Sequence, residues 1–386
     1  MGFSLYVHIP YCQAKCPYCD FNSHAASAWP ERDYTTALIR ELTLRAEMAP
    51  WRGQSISTIF FGGGTPSLFA PESINSLLNS ASRWFGIEPD AEITLEANPG
   101  TVTKAKLSGW RSGGVNRMSF GAQSFDDRTL KTLGRIHTAS ETREAARAAV
   151  RAGFDRFNLD LIFAVPGQTV DSVIRDIHQA AALAPDHISA YNLTFEEGTA
   201  FFTEMKRGRI MPLGNDEQAA FYATVRSELP SLGYQMYEIS NYARPGRESR
   251  HNLNYWRAGS YLGIGAGAHS FARHASDSDP QYRRWWNERA PAAYMARAKQ
   301  AGDAESGSET LDLRTAAGEF VFLNLRLREG FALADFNHRF GQSFESLFGT
   351  CTRRLLDGEL LRQQDDRLLL SDRGLELADS VFAEFV

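Results

Sequence analysis

Three of the four cysteines fall within eight residues, as Cys12-x-x-x-Cys16-x-x-Cys19. Three thiolates on one tight loop make a soft donor set, suited to zinc, copper(I) or an iron–sulfur cluster. A disulfide framework would spread its cysteines, so the clustering points to metal binding in a reducing compartment. If the metal is zinc, His8 or His24 completes a structural site. If it is a [4Fe-4S] cubane, three cysteines leave one iron open, and a small molecule can chelate there. Cys351 stands apart and reads as a small buried hydrophobe.

Further along lie other residues able to do chemistry. Gly62-Gly63-Gly64-Thr65-Pro66 is either a tight turn or a place where backbone approaches a ligand closely. Glu96 is either a rim carboxylate or the complement of a cationic ligand. Gln123 can both donate and accept. Arg135 offers a planar fork suited to a carboxylate. Asp160 is a charge inside the apolar run Asn158–Ile162, expensive unless partnered. His251-Asn252-Leu253-Asn254-Tyr255-Trp256 combines an imidazole, able to ligate a metal, with flat aromatic surface. Its plainer reading is a histidine hydrogen-bonded within a loop, with Trp256 in the core. Gly263-x-Gly265-x-x-Ala268 matches a dinucleotide fingerprint. It comes late in the chain, and the segment after it starts a helix poorly, so a close-packed backbone at the edge of the site is expected instead.

These residues must be positioned by a repeating rhythm in the first two-thirds of the chain. Short β-branched or aromatic runs at 5–9, 56–61, 92–97, 117–120, 156–163 and 187–193 predict strands. Amphipathic segments at 32–48, 71–84, 103–112, 140–152, 170–183 and 217–229 predict helices between and after them. The alternation implies right-handed βαβ units and a parallel sheet. Six units are too few for a closed eight-stranded barrel, so a partial (β/α)6 TIM-like barrel is expected. Ligands gather at the C-terminal ends of such strands, where the unusual residues lie. The expected domains are a core over 1–232, a barrel extension and cap over 233–300, and a small winged-helix-like α+β domain over 301–386. Ser306-Gly307-Ser308 looks like a linker.

The 386 residues carry a formal net charge of −5, which leaves no basic nucleic-acid footprint. No apolar run is long enough for a membrane span. The opening residues carry no secretory signal, and Tyr6 spoils a myristoylation site at Gly2. A cytoplasmic protein is expected.

The cysteine spacing, with Tyr18 just before the third cysteine, resembles the radical S-adenosylmethionine superfamily. The string Tyr6-Val7-His8-Ile9-Pro10-Tyr11-Cys12 is similar to the branch of coproporphyrinogen dehydrogenases (HemN) and their relatives, the heme chaperones (HemW). The resemblance implies a [4Fe-4S] cluster on Cys12, Cys16 and Cys19, with S-adenosylmethionine on the open iron and reductive cleavage of its sulfonium. It implies that Gly63, Gly64 and Thr65 hold the methionyl amino group, and that Glu96, Gln123, Arg135 and Asp160 contact the same ligand. Tyr18 and Thr194 would lie near the adenine, while Tyr6 and Thr194 serve either contact or packing.

Two departures separate the chain from the oxidase side of that branch. Phe21 stands where the oxidases carry a fourth cysteine. The first strand begins within a few residues of the start, where the oxidases have an extension. His251–Trp256 also resembles a motif of the heme-binding side, which implies heme as a further ligand through His251. His269 stands where the oxidases contact a second S-adenosylmethionine, and the changed residue weakens a second such ligand here. The resemblance thus implies a heme carrier that serves acceptor hemoproteins, an electron donor such as a flavodoxin, and a possible homodimer. Coproporphyrinogen III dehydrogenase is the alternative, and a structural zinc protein a third reading.

Overall fold

The computed structural model describes residues 2–274 and 281–386. Six parallel strands occur where the rhythm places them: β1 (Phe3–Ile9), β2 (Ile56–Gly63), β3 (Ile87–Ala97), β4 (Arg117–Gln123), β5 (Phe157–Phe163) and β6 (His187–Asn192). They pair in chain order. Six further strands widen the sheet at both ends. On the β6 side lie β7 (Gln235–Glu238) and β8 (Asn241–Ala243), both antiparallel. On the β1 side β9 (Tyr261–Ile264) pairs in parallel, and β10 (His269–His274), β11 (Gln281–Asn287) and β12 (Glu305–Leu311) follow antiparallel. The result is one open twelve-stranded sheet in the order β12-β11-β10-β9-β1-β2-β3-β4-β5-β6-β8-β7.

The helices cover one face, as the βα rhythm requires. α1 (Glu31–Ala46), α2 (Pro71–Phe85), α3 (Lys104–Ser112), α4 (Ala139–Arg151), α5 (Val170–Ala182) and α6 (Asn215–Ser231) match the amphipathic segments to within a turn. Local chemistry sets their ends. Thr138 and Glu141 form a capping box at α4, Thr103 caps α3, and α2 starts on Pro71 and stops at Gly86 with φ +74°. Their buried faces and the strands form one core, from Phe3 and Trp51 through Trp110 and Phe120 to Tyr242.

Ser306-Gly307-Ser308 is not a linker. It lies within β12, where Ser308 pairs with Trp285 and Gly307 with Trp286. The indole of Trp286 occupies the space a side chain at 307 would need, with a Cβ there only 2.5 Å from it. Beyond β12 follow helices Leu313–Leu325, Leu333–Phe340 and Phe344–Asp357, then the hairpin Leu361–Gln364 with Arg367–Leu370. The chain closes on two short helices, Asp372–Glu376 and Ala378–Phe382. A phenylalanine-rich core (Phe320, Phe336, Phe340, Phe344, Phe348) holds this unit, and Ala258 and Tyr282 extend that core into the sheet. No helix among the described residues is long and apolar enough to cross a membrane.

Candidate functional site

A cavity of about 460 Å3 lies at the C-terminal ends of β1 to β6. Each strand delivers its unusual residues there. Cys12, Cys16, Tyr18 and Cys19 follow β1, Gly63, Gly64 and Thr65 close β2, Glu96 is near the end of β3, and Gln123 ends β4. Asp160 comes from β5, Thr194 follows β6, and Arg135 reaches in from the segment after β4. Of the residues expected to hold the cluster, S-adenosylmethionine or heme, Tyr6 and His251 do not line it. Ser119, Asn98 and Tyr191 line it too, and the same strand-end position was the signal that could have found them.

The cysteine loop is closed by a short parallel pairing of Tyr11–Cys12 with His24–Ala25. Within it the Cys19 N–H donates to the Cys16 carbonyl at 3.1 Å. All four cysteines are free thiols. The Thr65 hydroxyl donates to Cys12 Sγ at 3.4 Å, and Arg135 Nη1 donates to Cys16 Sγ at 3.3 Å. Burial pushes the Cys12 thiol up, and the Thr65 hydrogen bond opposes that shift. Donors aimed at sulfur favour thiolates, the form that binds soft metals. His8 does not complete a zinc site. Its Nδ1 is 3.1 Å from the Tyr6 hydroxyl and its Nε2 2.9 Å from the Asn22 carbonyl. Burial lowers its pKa to about 4.

The glycine loop is bound to the cysteine loop. The N–H groups of Gly64 and Thr65 donate to Ile9 and Tyr11 carbonyls, each at 2.8 Å. Gly63 has φ +112°, and a Cβ there would sit 2.5 Å from the His8 ring. A Cβ on Gly64 would sit 2.7 Å from the Tyr11 carbonyl oxygen. The glycines therefore let two loops lie in contact, besides bringing backbone to the cavity.

The far wall is polar and poorly satisfied. Glu96 accepts from the Gly63 N–H at 3.3 Å. Burial, and then the neighbouring Asp160, raise its pKa to about 8. Asp160 accepts from Asn158 Nδ2 at 2.7 Å, and burial pushes it up as well. Gln123 adopts φ +65°, uncommon for a non-glycine residue, and its Oε1 is buried without a partner. Arg135 also donates to the Gly121 carbonyl at 3.1 Å, while its Nε has no partner. Buried groups left without partners call for an unseen one. Two carboxyls, an amide and a guanidinium beside three thiols suit a ligand with a cationic centre, hydroxyls and a carboxylate, next to an iron–sulfur cluster. The donor set thus fits both the cluster and S-adenosylmethionine.

His251, expected either to contact heme or to be hydrogen-bonded within its own segment, has both ring nitrogens hydrogen-bonded in this structure. His251 opens the short helix Arg250–Trp256 and is 1 % exposed. Its Nδ1 lies 2.8 Å from Thr58 Oγ1 and its Nε2 3.0 Å from the Tyr255 hydroxyl. Burial lowers its pKa to about 3. Trp256 packs under the Arg326 guanidinium, 4.4 Å from the ring centre, and belongs to the contact with the C-terminal unit. Tyr6 and Tyr255 instead line a second cavity of about 610 Å3, which shares Gly63, Glu96 and Phe21 with the first.

Residues 6–180 match the radical SAM superfamily and residues 311–377 the HemN C-terminal domain. The chain is 37% identical over 383 residues to the heme chaperone HemW of Mycobacterium tuberculosis, which covers 98% of this chain and 93% of that one. It is 45% identical over 269 residues to the heme chaperone HemW of Escherichia coli, 69% of each chain. With the heme chaperone HemW of Bacillus subtilis it shares 32% over 384 residues, 99% of each. Among solved structures, coproporphyrinogen III oxidase (HemN) from Escherichia coli, a radical SAM enzyme, superposes with a TM-score of 0.84 over 100% of this chain and 90% of that one. Their sequence identity is 22%, so that likeness speaks for the fold. Strand-end chemistry, sheet and relatives agree: the chain belongs to the HemW family within the radical SAM superfamily.

Proposed function

We propose that this protein is a heme chaperone, which binds heme and passes it to acceptor hemoproteins from a core built around one [4Fe-4S] cluster and S-adenosylmethionine. The observation that carries the reading is likeness to HemW proteins along 98% of the chain. Phe21 agrees with it, standing 63% exposed on the cysteine loop where the oxidases have a fourth cysteine.

In this reading Cys12, Cys16 and Cys19 hold the cluster, with Thr65 and Arg135 stabilising their sulfurs. Gly63, Gly64 and Thr65 position the amino group of S-adenosylmethionine, and Glu96 complements its positive charge. Gln123 and Asp160 take the ribose hydroxyls, and Tyr18 and Thr194 flank the adenine. When bound, the cluster supplies the electron that reductive sulfonium cleavage requires. A flavodoxin-like donor would furnish that electron, in the cytoplasm, and a homodimer is the form in which we expect the protein to act.

The alternative, oxygen-independent coproporphyrinogen III dehydrogenase, draws on the overlap with HemN, which is an overlap of fold. Anaerobically prepared protein decides between them. It is expected to retain added heme and deliver it to an apo-hemoprotein, with negligible decarboxylation of coproporphyrinogen III in the presence of S-adenosylmethionine and a reductant. Robust formation of decarboxylated porphyrinogen would overturn the proposal.

A further inference from the structure

The second cavity poses a question that the HemW motif leaves open: if His251 is spent on Thr58 and Tyr255, which group meets the iron? Two histidines line this cavity. Both ring nitrogens of His8 are taken. His269, at the start of β10, makes no side-chain hydrogen bond among the described residues and is exposed. Its ring stacks on Trp286 of β11 at 5.9 Å between centres and 29° between planes, because the two residues are paired across the antiparallel ladder. The imidazole thus rests against the paired strand, with no hydrogen bond to its nitrogens among the described residues. Burial, and then Arg284 and Arg289, lower its pKa, which favours the neutral form that binds metals.

The surroundings suit a flat, amphipathic macrocycle with anionic arms. Tyr255 and Tyr261 stand edge to face at 4.6 Å on one wall, and Trp286 lies on another. The exposed ring of Phe21 sits where the two cavities share a rim. Arg289 lines the same cavity, is exposed, and has no carboxylate partner among the described residues. The volume, about 610 Å3, lies within the range of roughly 300–1,000 Å3 usual for small-molecule sites. His251 keeps a different task. Its Nε2 fixes the Tyr255 hydroxyl, so the helix carrying the motif presents Tyr255 to the cavity while the imidazole stays in the core.

We infer that heme occupies this second cavity with His269 as the axial ligand to its iron, the tyrosines and Trp286 against the macrocycle, and Arg289 paired with a propionate. The inference rests on the heme-chaperone reading and adds the site and the ligand to it. It also sets the heme beside Glu96 and Gly63, which the first cavity shares.

Heme titration of the full chain, followed by absorption and electron paramagnetic resonance, tests it. Ferric heme on the wild type is expected to show a histidine-ligated spectrum. His269→Ala should lose that signature and weaken binding on the order of tenfold or more, and added imidazole should restore the spectrum. Arg289→Ala should weaken binding with the spectrum unchanged, and unaltered affinity would remove the propionate contact. If His269→Ala binds heme with the wild-type affinity and spectrum, the assignment fails while the chaperone reading stands. If the wild type binds no heme, both fail together.

Discussion

At the scale of single residues, Glu96 is the most sensitive reporter of the first cavity. Its pKa of about 8, against an ordinary 4.5, means the folded protein holds a proton there that the unfolded chain has released. Between those values the native state binds more protons, so this group's contribution to stability declines as pH rises from about 4.5 to 8. A cationic ligand inverts the preference by favouring the carboxylate. S-adenosylmethionine affinity of the cluster-loaded protein should therefore rise with pH up to about 8, and Glu96→Gln should bind more weakly with that slope abolished. Anaerobic calorimetry across this range checks it, and a slope kept in the variant would assign the titration elsewhere. Much at this scale was legible in the sequence, because a parallel sheet brings every strand end to one rim. Cys12, Gly64, Glu96 and Gln123 could be grouped for that reason, whereas Asp160, in the middle of β5, joined them through the resemblance. The state of His251 was not legible. Its partner Thr58 lies 193 residues away in sequence, and an imidazole satisfied by a distant hydroxyl looks, in sequence, like a free one.

At the scale of elements, α1 is tied to the turn after β9 by a buried carboxylate. Glu41 is fully buried and accepts from the Gly265 N–H at 3.0 Å, Asn287 Nδ2 at 2.7 Å and the Tyr294 hydroxyl at 2.7 Å. The same turn touches the cysteine side of the site, since a Cβ on Gly265 would lie 2.4 Å from the His8 carbonyl oxygen. Glu41→Ala leaves those donors without an acceptor, and should cost about 3 kcal/mol of stability. Glu41→Gln, which keeps an acceptor oxygen, should cost less. Denaturant midpoints measure both, and an unchanged midpoint for Glu41→Ala would contradict the tie. The βα rhythm was legible because core strands and amphipathic helices differ in hydrophobic period. The hairpin extension was not. β12 (Glu-Ser-Gly-Ser-Glu-Thr-Leu) is largely exposed and polar, and is strand only because β11 offers it a ladder.

At the scale of the whole molecule, the C-terminal unit is fastened to the sheet by charge as well as by its aromatic core. Arg326 Nη2 lies 3.2 Å from Glu238, which is fully buried, and its guanidinium covers Trp256. Arg284 of β11 reaches Glu319 at 3.0 Å. Removing one partner of a buried pair strands the other, so Arg326→Ala should cost about 3 kcal/mol or more. Because the pair bridges the two units, calorimetry should show the C-terminal unit melting ahead of the sheet in that variant, where the wild type melts in one transition. An unchanged single transition would mean that the aromatic core alone holds the units together. The central claim is that three sulfurs grip a cubane and leave one iron for S-adenosylmethionine. Mössbauer spectroscopy of anaerobically 57Fe-reconstituted protein, with and without S-adenosylmethionine, tests it most directly. The account predicts a [4Fe-4S] spectrum in which one iron site alone shifts when the ligand is added, and its disappearance in Cys16→Ala. A colourless, iron-free protein, or a cluster whose irons all ignore S-adenosylmethionine, would contradict it.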